Sequence, residues 1–528
     1  MARRLIIGPP GTGKTSTGLD LVEQAISSGI HPSRVLYASF TRAASYGARD
    51  RALSRFSEYT SDDFPYFRTL HSIAFRLLRL NQYAMFDGKR LKEFAKIFNY
   101  KFSNGALEKD IFRQDIIDMA LGTDAEGYLA FDEWRKNRLI LDVDEAYHQY
   151  TQKQIELPRD FNKKSLKLFL ERKEEYKQKE GLWEFSDLLL KVYQERIPLG
   201  VDFVVIDEAQ DCSPLLHEVA EIFAQGAKDI YLIGDPDQAL YSFMGAEPSL
   251  MLDWKRDEDI VLKQSHRCSQ AVHDLSRKIV ERMKVRYHSD FFPTEVEGRV
   301  LKMPVAKVDF DSGGTTFLAA RTRYLLDKHY DELLRLGIPF KTKRGRDSPL
   351  DKASREVVLT LLRLMDDSRV TLTDVYKLAR ALPQRPWLNR GAKTTIRERA
   401  KEEPNHRVSR ISLPALGFTT DFMAMLNDRE YLEALKISPE EKRYFRKLIS
   451  QYGRQALTEE PSLVLGTYHS FKGLECDKMV LDLELTRLPY ENLMQNADEE
   501  HRVFYVGATR SREEIDLLTP DTWRNYPL

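Results

Sequence analysis

Cysteine is scarce: three residues in 528, Cys212, Cys268 and Cys476, each far from the others. That excludes a disulfide framework and a clustered thiolate zinc site, and it predicts a chain of the reducing cytosol. Net charge is missing too. Lys plus Arg and Asp plus Glu both count 81, so no whole-molecule field draws the chain to a polyanion, and any electrostatic footprint must be a local groove. No run of about 18 apolar residues occurs, so no membrane-spanning helix is expected. Met1 to Arg4 lead directly into Leu5-Ile6-Ile7, so no signal peptide is expected either. Internal repeats and low-complexity tracts are absent. What is present is an ordinary globular balance, 42% hydrophobic and 31% charged. At roughly 150 residues per domain, the length predicts three or four domains.

The pattern opens as alternating strand and helix. Leu5-Ile6-Ile7 reads as a short buried strand before a Gly-rich turn. Leu19, Val22 and Ile26 then fall at helical spacing, with Gly29 as C-cap. Strands are predicted at 35–40 and 66–70. Continuous apolar runs at 203–206 and 230–233 suit parallel strands covered on both faces. From 72 to 186 the pattern is helical, with a charge-dense piece at 163–179. A second α/β pattern follows Lys263, with strands at 316–320, 463–466 and 479–481, and an Arg/Lys-rich helical piece in between. The expected organisation is α/β, with two parallel-sheet cores, each interrupted by a mostly helical insertion. The first core takes 1–71 and 187–263 around an insertion at 72–186. The second takes 264–340 and 461–528 around an insertion at 341–460.

Gly8-Pro9-Pro10-Gly11-Thr12-Gly13-Lys14-Thr15 fits the G-x-x-x-x-G-K-[ST] phosphate loop, between a predicted strand and a predicted helix. Glycines let backbone N–H groups close on phosphate oxygens, and the helix N-terminus adds a favourable dipole. Lys14 is placed to reach β- and γ-phosphates, and the Thr15 hydroxyl to ligate Mg²⁺. Val204-Val205-Ile206-Asp207-Glu208 supplies the acidic partner: Asp207 for the metal, Glu208 to orient and deprotonate a water. Alone, two carboxylates after an apolar run are commonly a solvated strand end; beside a phosphate loop the catalytic reading is favoured.

Further along, the chain resembles the UvrD/Rep family of superfamily-one DNA helicases. Asp207-Glu208-Ala209-Gln210-Asp211 is similar to the family's DExQD box, and 234–241, Gly-Asp-Pro-Asp-Gln-Ala-Leu-Tyr, to GDxDQxxY. Gln264-Ser265-His266-Arg267 resembles Q-N-Y-R. The run 467–475 resembles T-x-H-x-x-K-G-L-E, and 505–510 resembles Y-V-A-x-T-R. Weaker likenesses lie at 40–44, at 69–72 and at Glu184-Phe185-Ser186-Asp187-Leu188-Leu189. The set falls in the family's order from near residue 8 to 515. The resemblance implies RecA-like cores, ATP and Mg²⁺ as cofactors, and a cytoplasmic enzyme of DNA repair or replication in a bacterial or phage-infected cell. It implies that Gln238 senses the γ-phosphate, that Arg267 and Arg510 act as arginine fingers, that Glu475 binds ribose, and that His266 stacks on adenine where the family has Tyr.

The partners implied are single-stranded DNA and single-strand/duplex junctions. Phe243 matches a base-stacking aromatic of the family, Tyr241 is a second ring nearby, and Thr41, Arg42, His71 and His469 are candidate strand contacts. An ordinary core aromatic or a satisfied structural histidine is the competing reading for each. Basic clusters at Lys341, Lys343, Arg344 and Arg346, and at Arg390, Lys393, Arg397, Arg399 and Lys401, could touch duplex; a solvated face is at least as good a reading. Three departures stand out. Only seven residues precede Gly8, so the family's adenine-reading segment is not expected and base selectivity should be relaxed. Met244 replaces a family Arg that could couple ATP to DNA. The second insertion is short and little chain follows Arg510, which suits a compact phage or mobile-element enzyme without a nuclease domain. The leading expectation is an ATP-dependent helicase translocating 3′ to 5′. Alternatives are a translocase that strips proteins from single strands, a nucleotide-gated binding switch, and a 5′-to-3′ helicase.

Overall fold

The computed structural model describes residues 2–39, 42–102, 123–152, 161–287, 290–311, 313–343, 345–428 and 431–528, with backbone alone for 42–44. Two six-stranded sheets organise it. The first holds β1 (Ala2–Ile7), β2 (Val35–Ser39), β3 (Phe67–Arg68), β4 (Phe203–Asp207), β5 (Asp229–Gly234) and β6 (Glu258–Val261), in the order β3-β2-β4-β5-β1-β6. The second holds β7 (Arg299–Met303), β8 (Thr316–Ala320), β9 (Phe340–Thr342), β12 (Leu463–Thr467), β13 (Cys476–Asp482) and β14 (Ser511–Leu518), in the order β7-β14-β13-β8-β12-β9. A short antiparallel pair, β10 (Val370–Thr371) and β11 (Arg407–Val408), lies in the second insertion. Every pairing within the two large sheets is parallel.

The apolar runs sort themselves by strand alternation. Leu5, Ile7, Leu36, Ala38, Val204 and Ile206 face one side of the first sheet, against helices Leu70–Leu77, Phe185–Glu195 and Pro214–Phe223. Ile6, Val35, Tyr37, Phe203, Val205 and Ile233 face the other, against helices Lys14–Ser27 and Arg42–Arg55. With both faces covered, both halves of a period-2 pattern must be apolar, hence the unbroken runs. Edge strands β6 and β7 have no buried position and mix charged with apolar residues, and sequence periodicity does not reveal them.

The expected strand at 66–70 is only the two residues of β3. Thr69 Oγ1 accepts from Ser72 N at 3.3 Å and caps a helix starting at Leu70, so the N-cap ends the strand. That helix packs in the first core, past the expected boundary at 71/72. The first insertion closes its own core, from Phe86 through Phe94, Trp134 and Phe169 to Leu182. The second does not. Its Val358, Leu361, Leu378, Phe422 and Leu448 form one cluster with Leu318, Leu463, Leu465 and Val480 of the second sheet. Among the described residues, no helix is long and apolar enough to cross a membrane.

Candidate functional site

Because β1, β4 and β5 run parallel side by side, their C-terminal ends bring Gly8, Asp207 and Gly234 to one edge of the sheet, the usual place for a ligand crevice. Gly8 N donates to Gly234 O at 3.0 Å. Gly11 and Gly13 have φ of 72° and 81°, the left-handed conformation the loop needs before the helix Lys14–Ser27. A Cβ on Gly8 would lie 2.4 Å from Lys14 Cγ, so glycine there lets the lysine fold over the loop; Lys14 Nζ donates to Gly8 O at 2.6 Å. A Cβ on Gly11 would lie 2.5 Å from Arg267 Cβ. Gly11 therefore admits the segment 264–267, where Ser265 Oγ donates to Pro10 O and His266 N to Gly11 O, both at 2.8 Å.

Thr15 Oγ1 and Tyr37 Oη each donate to Asp207 Oδ2 at 2.9 Å. Burial and the neighbouring Glu208 charge push the Asp207 carboxyl up to about 6. A buried carboxyl so short of positive charge, with a hydroxyl oxygen beside it, is a hard-oxygen donor set that fits a magnesium ion. Glu208 sits in the left-handed region, φ 58°, strain of the kind that gathers at functional positions. Burial raises its carboxyl, but Lys14, Lys472, a hydrogen bond from Gln210 Nε2 and Arg510 together hold it below the ordinary value. Its carboxylate is thus ionised at neutral pH.

Gln210 is fully buried, and its Oε1 accepts from Asp235 N at 3.1 Å, joining the loop after β4 to the loop after β5. Gln238 Nε2 donates to Asp235 Oδ2 at 2.6 Å. Its Oε1 accepts from Arg510 Nη2 at 2.8 Å across the cleft between the cores. Arg510 is 3% exposed, and burial together with repulsion from Arg267 lowers its guanidinium to about 10. Arg267 Nε donates to Glu475 Oε2 at 2.9 Å and Nη1 to Thr509 O at 3.2 Å, while Arg512 takes the other Glu475 oxygen at 2.7 Å. His266 is exposed at the rim. Thus Lys14, Thr15, Asp207, Glu208, Gln238, Arg267 and Arg510 gather in one crevice, with His266 and Glu475 toward its outer side.

Residues without an assigned role in the sequence also meet here. Lys472 Nζ donates to Asp211 Oδ1 at 2.7 Å and to Gln238 O at 2.9 Å, and stands 4.7 Å from the Tyr241 ring centre. Both Lys472 and Asp211 lie inside the quoted motifs, so the signal was present, but their pairing is tertiary. Tyr37 and Ser265 had weaker signals: one hydroxyl in an apolar run and a Ser where the resemblance has Asn.

Of the strand-contact candidates, Thr41 lies outside the described residues, and Arg42 is described only as the first residue of its helix. Phe243 is half-buried on the turn Ser242–Met244, edge-on to Tyr241 and to His469, each 6.3 Å away. Tyr241 and His469 are buried, so Phe243 is the open ring of the three. His71 is half-buried on helix Leu70–Leu77, edge-on to Phe185 at 6.1 Å. The structure brings Phe243, Tyr241 and His469 together across the two cores. Of the basic clusters, Arg344 lies outside the described residues, Lys341 pairs with Glu460, Arg346 with Asp331, and Lys393 donates to Leu382 O.

The family descriptions agree with this geometry. The UvrD/REP helicase N-terminal domain matches residues 2–259, and the UvrD-like helicase C-terminal domain matches 388–519. YjcD of Bacillus subtilis is 22% identical, with 98% of this chain and 76% of that protein covered. ATP-dependent DNA helicase PcrA of Leuconostoc citreum is 23% identical, covering 58% of this chain and 41% of its own length. ATP-dependent DNA helicase UvrD2 of Mycobacterium tuberculosis is 24% identical, covering 64% and 51%. The chain spans about half the length of these last two relatives. With both domain families matched in order, on two parallel sheets that share one cleft, the chain belongs to the UvrD/Rep-like helicase family.

Proposed function

We propose that the chain is an ATP-dependent DNA helicase that moves 3′ to 5′ along single-stranded DNA and couples ATP hydrolysis to duplex unwinding. The observation that carries this reading is the Arg510–Gln238 hydrogen bond at 2.8 Å. It puts a second-core guanidinium against the first core's phosphate-side loop, so hydrolysis requires a closed cleft and product release lets it open. A motor needs that linkage; a simple phosphate-binding fold does not.

In this reading the phosphate loop holds the β- and γ-phosphates, with Lys14 neutralising their charge. Thr15 and Asp207 would hold Mg²⁺, which supplies further positive charge to those phosphates when bound. Glu208, ionised and half-buried, takes the proton of the attacking water. Gln238 contacts the γ-phosphate, and Arg510 and Arg267 stabilise charge in the transition state. Glu475 faces the ribose and His266 the base. Phe243 stacks on a DNA base, with Tyr241, His469, His71, Thr41 and Arg42 along the strand. The polarity follows the family resemblance.

The test is strand displacement on 3′-tailed, 5′-tailed and blunt duplexes, with and without ATP. Unwinding of the 3′-tailed duplex alone, and only with ATP, is expected. Unwinding from 5′ tails overturns the polarity. Strand-stimulated hydrolysis without displacement assigns the chain to protein-stripping translocation instead.

A further inference from the structure

Met244 lacks the charge that the family resemblance places in this turn, yet the turn is not loosely attached. Ser242 Oγ donates to Glu499 Oε1 at 2.7 Å, a contact between the two cores. Glu499 lies in the first turn of the helix Ala497–Ala508, and Asn492 Nδ2 steadies its other oxygen at 3.3 Å. Arg510 follows the other end of that helix. At 1.5 Å per residue the helix carries the chain ~14 Å from Glu499 to Ala508, two residues before Arg510. The first core offers an equally short segment: Gln238 meets Arg510 and Ser242, four residues later, meets Glu499. Two hydrogen bonds therefore join the segment 238–242 to the start of this helix and to the arginine just past its end. From the insertion side, Asn137 Nδ2 donates to Met244 O at 3.2 Å, and a Cβ on Gly245 would lie 3.2 Å from both Asn137 Cβ and Arg138 Cγ. The turn is backed by the first insertion and gripped by the second core, with Phe243 between the two attachments.

We propose that Ser242 and Glu499 are positioning residues that fasten the Phe243 turn to the helix preceding Arg510, so that the finger and the strand contact move as one piece. This rests on the function proposed above. A carboxylate accepting from a hydroxyl does the coupling here that an arginine at position 244 would do by charge. Its partial burial shields the bond from competing water.

The experiment measures steady-state ATP hydrolysis in the full chain, with and without oligothymidylate, for Ser242→Ala, Glu499→Ala, the double variant and Ser242→Thr. For each single alanine variant the half-saturating oligothymidylate concentration should rise about tenfold, the scale of one hydrogen bond to a charged group. Turnover without the strand and the melting temperature should hold. Ser242→Thr keeps a hydroxyl and should restore the unaltered value. The double variant should be no worse than the poorer single, because both lose the same bond. Unaltered strand dependence in the singles, additive losses in the double, or an equal fall in strand-free turnover overturns the clamp and leaves the helicase reading intact. Absence of strand stimulation in the unaltered protein overturns the helicase reading and the clamp with it.

Discussion

Two buried charge networks in this molecule look alike in composition and differ in how their charges are balanced. In the first insertion, Lys136, Lys173 and Lys177 interlock with Asp132, Glu184 and Asp187. Lys136 Nζ lies 2.7 Å from Glu184, 2.9 Å from Asp187 and 3.0 Å from Asp132. Lys173 lies 2.7 Å from Glu184 and also meets Asp132, with both Lys173 and Asp132 1% exposed. Burial works against the charges of Asp132, Glu184, Lys136 and Lys177, but the opposite charges win: the two carboxyls are held below the ordinary carboxylate range and the two amines above the ordinary amine range. In the cleft the shifts are mixed: against burial, Lys14, Lys472 and Arg510 hold Glu208 low, but its aspartate neighbours go the other way. Burial pushes Asp207 and Asp211 up to about 6 and Asp237 up to about 7, and brings Arg510 down to about 10. The insertion network is saturated by its own members. The cleft network is short of counter-charge, which is the electrostatic condition of a site that takes a cation and a polyphosphate. Asp132, Glu174 and Glu184 lie close enough to share a metal ion, but lysine ammonium groups already occupy that role. Carboxylate clustering alone does not distinguish the two networks; raised aspartates beside a lowered arginine mark the cleft.

The largest effects are expected in the cleft. Arg510→Ala should lower turnover by about 10³ or more while ATP affinity changes little, since a finger acts on transition-state charge. Single-turnover hydrolysis beside nucleotide titration measures it; equal losses in both would make Arg510 a ground-state ligand. Glu208→Gln should lower hydrolysis by about 10²–10⁴ and retain ATP binding, because the amide keeps the shape but cannot take a proton. Rapid hydrolysis by this variant would mean that another group activates the water.

In the insertion the effect should fall on the fold. Lys173→Met removes a buried ammonium from between Asp132 and Glu184, and about 3–5 kcal/mol should be lost, read by denaturant unfolding with ATP affinity measured on the folded protein. The pH sign follows from the depressed carboxyls. Their stabilisation is fully present above the unfolded values near about 4 and is lost as pH falls through the lower folded values. Acid unfolding of Lys173→Met should therefore begin at higher pH than in the unaltered chain. A variant as stable as the parent would show that the network is dispensable.

The smallest effect sharpens the boundary between the two kinds of site. Phe243→Ala should weaken single-strand binding by about 1–3 kcal/mol with little dependence on base identity, the loss of one stacking face. Phe243→Trp should preserve binding. A core role would instead cost roughly 3–5 kcal/mol of fold stability, so a large drop in melting temperature would retire the stacking assignment.

Much of this was legible in the residue order. The strands Thr316–Ala320, Phe203–Asp207 and Asp229–Gly234 stand where unbroken apolar runs predicted them, because a strand covered on both faces has no polar positions to disguise it. The strand Ser511–Leu518 was not, since it opens Ser-Arg-Glu-Glu, and only pairing with β7 and β13 makes it a strand. The phosphate loop was legible because its chemistry is local: glycines, lysine and threonine within eight consecutive positions. Glu184 and Asp187 were read as part of a family motif. In the fold they form a local capping box at the helix Phe185–Glu195 and also neutralise three lysines, Lys173 and Lys177 on the preceding helix Lys163–Glu180 and Lys136 about fifty residues earlier.

By itself, then, the sequence determined what short-range spacing can determine: which runs are buried strands, where phosphates can be cradled, and which carboxylates follow a strand end. Tertiary structure alone decided which charges meet. The pairings Lys472–Asp211, Arg510–Gln238 and Ser242–Glu499 join residues separated by 261, 272 and 257 positions. No periodicity or propensity spans such distances. The pairs form because two separately built sheets pack their loop ends into one cleft, where burial strengthens each contact and makes every unpaired charge costly.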